Sequence, residues 1–150
     1  MRYFPIAIAL LASCSTVGVA QNTPKPAIQV ELDRQKPLHL RVVLRSGAAT
    51  TATFYRSDLP WGNRVSMVFA AVRPNGEPVE LIFSIDDPGP TKVTMKPHET
   101  LNGDIDLQHV IRDLNAIKRS EVLLFWAYKS PAELHIPRWS GGLVLIPQQK

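Results

Sequence analysis

The chain has 150 residues, 45% of them apolar and 20% charged, with a net charge of +4. That suffices for one domain with its own core; it is too charged for a polytopic membrane protein and too apolar for a disordered tail. A single Cys excludes an internal disulfide and a Cys-rich zinc site. Residues 1–20, MRYFPIAIALLASCSTVGVA, place Arg2 ahead of an apolar stretch at 6–12. This reads as a signal peptide, since the stretch is too short to span a bilayer. Two processing sites compete. Gly18-Val19-Ala20 before Gln21 has small residues where a signal peptidase reads them, whereas Leu11-Ala12-Ser13-Cys14 resembles the bacterial lipobox, in which Cys14 is lipidated. No later window is apolar for the length of a bilayer span. The expectation is an exported protein without a transmembrane span. It would be periplasmic or secreted after cleavage, or a membrane-anchored lipoprotein with its lipid on Cys14.

Residues 21–27, QNTPKPA, read as a flexible lead-in, and 28–147 as one β domain. Ile28, Val30 and Leu32 alternate with polar residues, and Leu38, Leu40, Val42 and Leu44 do so more strongly. Residues 50–55 are rich in Thr and aromatics, again a strand. The run 65–72 (VSMVFAAV) is almost continuously apolar and reads as a central strand. Pro74-Asn75-Gly76 predicts a turn that pairs it with 79–85. Asp86-Asp87-Pro88-Gly89-Pro90 is a stop, followed by short strands at 91–95 and 101–107. Val110, Ile111, Leu114 and Ile117 have helical spacing, so 108–118 is the one short helical segment, with one or two helical turns. Residues 122–128 (VLLFWAY) form a core strand, 130–140 a long loop, and 143–146 the last strand. Leu40, Val42, Val68, Phe69, Phe83, Leu124 and Trp126 are the predicted core. About eight strands at ten-residue spacing predict an all-β sandwich or barrel, and so little helix excludes dinucleotide-binding βαβ units.

The stretch Lys96-Pro97-His98-Glu99-Thr100-Leu101-Asn102-Gly103-Asp104-Ile105-Asp106-Leu107, a short apolar turn, then Glu121-Val122-Leu123-Leu124-Phe125-Trp126-Ala127-Tyr128 carry a resemblance. They resemble the C-terminal half of immunoglobulin-like β-sandwich domains of secreted bacterial proteins, of the proteinase-inhibitor and protease-prodomain kind. Shared features are a Pro-Gly-Glu-type turn, a strand ending in Asp-Leu, a helical turn and a strand ending near Tyr. His98 stands where those domains usually carry Gly. The resemblance covers roughly 35 residues and implies a fold more than an activity.

Motifs for chemistry are sparse. His98-Glu99 opens like a zinc-protease helix, but Asn102 occupies the second His position. His39, His98, His109 and His135 have no metal-ligand spacing. Asp86, Asp87, Asp104 and Asp106 lack the EF-hand pattern, although Asp104 and Asp106 share one strand face. No Gly-rich phosphate loop or nucleophile elbow occurs, so no cofactor and no metal are expected. Basic residues are dispersed, which argues against nucleic acid as a partner.

The segment 54–64 (FYRSDLPWGNR) is the candidate site. Arg56, Asp58, Trp61, Asn63 and Arg64 combine aromatic and charged anchors beside the stiffening Pro60, as binding loops do. The competing structural reading has Trp61 folding back to plug one end of the sandwich. The expected function is a non-catalytic binding module that engages a protein or envelope component through its loops. A small hydrolase or carbohydrate-active protein with convergent carboxylates is the alternative.

Overall fold

The computed structural model describes residues 26–62, 66–82 and 89–149. Residues 1–20 with Cys14, most of 21–27, and Asn63, Arg64, Phe83, Asp86 and Asp87 lie outside the described residues. Eight strands occur among the described residues: β1 (Ile28–Leu32), β2 (His39–Arg45), β3 (Ala52–Tyr55), β4 (Met67–Val72), β5 (Lys92–Met95), β6 (Thr100–Asp106), β7 (Val122–Lys129) and β8 (Trp139–Ile146). All pair antiparallel, in three sheets ordered β1-β2-β6, β3-β5 and β4-β7-β8. The all-β expectation is met. β1 lies beside β8, so the two three-stranded sheets adjoin there.

Period-two alternation decides what is buried. Leu40, Val42 and Leu44 of β2 point inward, as do Val122, Leu124, Trp126 and Tyr128 of β7, and all belong to one core cluster. Each fully buried Leu or Val contributes about 1.5–3 kcal/mol relative to exposure. Two glycines make room for indole rings. A Cβ on Gly103 of β6 would fall inside the Trp61 ring, and one on Gly142 of β8 would meet the Trp126 ring at 2.9 Å. Aromatic cover of a strand glycine restores the packing that the missing side chain gives up.

Two local expectations need correction, and a third is met in two pieces. Val68 is not core: Met67, Phe69 and Ala71 face inward, and Val68 is 48% exposed. A run apolar on both faces carries no period to tell inside from outside. The segment 108–118 holds the expected one or two helical turns, but in two separate pieces. A 3₁₀ turn at Leu107–His109 and α1 (Asn115–Arg119) flank a bridge between Ile111 and Leu81. The Ile82 and Arg112 N–H groups donate across that bridge to the Val110 and Glu80 carbonyls, so this backbone serves a ladder instead of a helix. The last strand starts at Trp139, not 143, because Ser140-Gly141-Gly142 pairs with β7 instead of turning. The expected turn at 74–76 does form. Gly76 sits at φ 85° and the Arg73 N–H donates to the Glu77 carbonyl. Beyond it, among the described residues, the pairing with β4 consists of a Pro78–Val72 bridge and the Val79 N–H to Ala71 carbonyl bond.

Candidate functional site

The site begins with the corner that follows β3. A 3₁₀ turn at Arg56–Asp58 reverses the chain, and the Asp58 carboxylate accepts from the Tyr55 N–H at 3.1 Å. Gly62 is packed so closely on the Arg56 carbonyl that a Cβ there would overlap it. The Gly62 N–H donates to the Leu59 carbonyl at 2.9 Å. Two side chains from elsewhere fasten the corner. The Tyr128 hydroxyl, at the end of β7, donates to the Asp58 carbonyl at 2.9 Å, and the buried Ser66 hydroxyl donates to the Leu59 carbonyl at 2.7 Å. Burial, and secondarily the Asp58 charge, push the Tyr128 phenol well above its usual range. It therefore stays a donor at neutral pH.

This bracing delivers Pro60 and Trp61 onto the edge of β6. Trp61 is half-buried over Gly103, and Leu59 and Pro60 are buried. Between this corner and the end of β6 lies a cleft of about 170 Å³. Trp61, Met67, Phe69, Ile105 and Val110 form its apolar wall, and Asp104, Asp106 and His109 its polar side. Asp104 Oδ2 is 2.7 Å from His39 Nδ1 on β2. Asp106 Oδ1 accepts from the Gln108 N–H at 2.8 Å, and its Oδ2 lies 3.7 Å from His109 Nε2. Two roomier hollows, of about 470 and 570 Å³, lie over the turn at 31–35 with Arg41 and over Lys129–Ala132 with Ile136 and Arg138. Neither has an aromatic wall.

Of the residues singled out in the sequence, Trp61 lines the cleft, Asp58 spends its carboxylate inside the corner, and Arg56 is exposed. Asn63 and Arg64 lie outside the described residues. Sequence reasoning missed Phe69, His109 and the pairing of His39 with Asp104. The shared face of Asp104 and Asp106 was a usable signal, whereas the register that sets His39 opposite Asp106 joins positions far apart in the chain. No group of three or more His, Cys, Asp or Glu among the described residues is arranged to hold a metal ion. No helix among them is long and apolar enough to cross a membrane. No protein-family model matches the chain, and no curated protein matches it.

Proposed function

We propose that this chain is an exported, non-catalytic binding module with an immunoglobulin-like sandwich fold. It holds a cationic side chain of a protein or envelope partner in the cleft beside Trp61. The observation that carries the reading is the size and lining of that cleft. About 170 Å³ falls below the roughly 300–1,000 Å³ of small-molecule sites. It suits one long side chain. The stem of a Lys or Arg would lie along Trp61 and Phe69 and its head would meet the Asp106 carboxylate, as amphipathic side chains do at interfaces. The bracing of the corner by Tyr128 and Ser66 supports recognition, because a rigid rim loses little entropy on binding. The sandwich reading is supported by two three-stranded antiparallel sheets contributing to one core. Export rests on the leader, with cleavage at residue 20 or lipid on Cys14.

The test is capture from the native envelope fraction with tagged protein, comparing wild type with Asp106→Asn. The amide keeps the cap on the Gln108 N–H and removes the charge. Wild type is expected to retain a partner that elutes with salt, and Asp106→Asn to lose it with an unchanged melt. Equal capture by both would refute the cleft reading. Mass spectrometry of the native protein should find Gln21 first, or a diacylglyceryl Cys14; an intact Met1 would refute export.

A further inference from the structure

On the outer face of β4-β7-β8, Val68, Phe125, Trp139, Leu143 and Leu145 are each 44–57% exposed. Register places them side by side: Phe125 lies between Ala70 and Leu143, Leu123 is beside Leu145, and Val68 is beside Ala127. This face is separate from the cleft, which takes Met67 and Phe69 from the opposite side of β4. We propose that it is an interface on which a second copy of this chain packs, antiparallel, about a two-fold axis through Phe125.

The charge pattern of the central strand points to a copy. With period-two alternation, the outward residues along β7 and the position before it are Glu121, Leu123, Phe125, Ala127 and Lys129. An acid begins the row, a base ends it, and Phe125 is the midpoint. A two-fold axis through Phe125, perpendicular to the strands, sets each Glu121 over the other copy's Lys129. Neither side chain is in an ion pair among the described residues. The same operation lays β8 over β8 and β4 over β4, so Leu143 meets Leu143 and the small Ala70 meets Ala70. Two copies of one sheet have the same twist, and equally twisted sheets stack face to face at about 30°.

The area fits a modest dimer. Half-exposed Trp, Phe, Leu and Val side chains leave on the order of 500 Å² of apolar surface, near the top of what a monomer exposes in one patch. With Leu123, Ala70, Ala127, Gly141, Lys129 and Glu121 the face approaches the roughly 800 Å² that one partner contributes to a standard interface.

Sedimentation equilibrium of the processed protein between about 1 and 200 µM tests this, because it reads the mass of the species in solution directly. Wild type should show a monomer–dimer equilibrium. Phe125→Glu places two like charges on the axis and should leave a monomer whose melt is unchanged. Glu121→Lys and Lys129→Glu should each weaken the dimer at least tenfold, and the double exchange should restore it to within about threefold. The proposal is overturned if wild type stays monomeric, as it would if a different protein or a membrane covers this face. It is also overturned if the dimer persists in Phe125→Glu, or if the double exchange fails to restore what the single exchanges lose.

Discussion

His98 has φ 56°, in the left-handed region that glycine favours. The turn is closed by the Glu99 N–H donating to the Lys96 carbonyl at 3.1 Å, and the Glu99 carboxylate accepts from the Lys96 N–H at 2.6 Å. Glycine would release about 1–2 kcal/mol of left-handed strain and lose about 0.5–1 kcal/mol to unfolded-state entropy. His98→Gly is therefore expected to raise stability by about 0.5–1 kcal/mol in urea unfolding; a loss would show that the His side chain has a role of its own. Gly103 is the opposite case. Its Cβ would occupy the Trp61 ring, so Gly103→Ala should destabilise by about 1–3 kcal/mol through overpacking. In a Trp61→Ala background the same change should cost under about 0.5 kcal/mol, because the clash is gone. A double-mutant cycle reads that coupling directly. Equal costs in both backgrounds would place Trp61 elsewhere.

At the scale of elements, β7 is tied to the corner after β3 by the Tyr128 hydroxyl. Tyr128→Phe leaves the Asp58 carbonyl without that donor and should cost about 1–2 kcal/mol. The pH dependence has a definite sign. The folded protein holds the phenolic proton more tightly than the unfolded chain does, because burial disfavours phenolate. The resulting stability is complete below the ordinary phenol range and drains away as pH rises above it. The melting temperature of wild type should thus fall more steeply above about pH 10 than that of Tyr128→Phe. Parallel alkaline profiles would mean that Tyr128 reaches solvent. The Asp33 carboxyl in the β1–β2 turn behaves in the reverse sense. Hydrogen bonding by the Gln35 N–H holds it below the usual carboxylate range, so its contribution is present at neutral pH and is lost on acidification.

For the whole molecule, a single core cluster joins inward residues of β2, β7 and β8 to Leu107, Ile111 and Ile117. One core shared by all these elements should unfold as one unit. Far-ultraviolet circular dichroism and tryptophan fluorescence are expected to give coincident urea transitions, and separated midpoints would contradict a shared core. Trp126 is the largest inward side chain of β7 and packs on Gly142. Trp126→Ala should destabilise by about 3–5 kcal/mol, the cost of removing a large aromatic from a packed interior.

The sequence by itself determined the strands whose two faces differ in polarity. β1 and β2 were legible because Ile28 to Leu32 and Leu38 to Val42 alternate apolar with polar, and alternation is a local consequence of the pleat. Tertiary structure alone decided which side of an apolar run is covered, since that depends on what packs against it. Val68 and Phe125 are as apolar as Phe69 and Trp126, yet Trp126 lies in the core cluster and Phe69 packs against it, while Val68 and Phe125 are 48% and 44% exposed. It decided equally that 108–118 would be split, because Ile111 meets Leu81 across a bridge that local spacing does not encode. The cleft followed the same rule. Trp61 was conspicuous in composition, but its position over Gly103 and beside Asp106 is set by the register of β6 on β2 and by Tyr128, seventy residues from the carbonyl it fastens. Contacts at that separation are fixed by the sheets as a whole, and no window of sequence contains them.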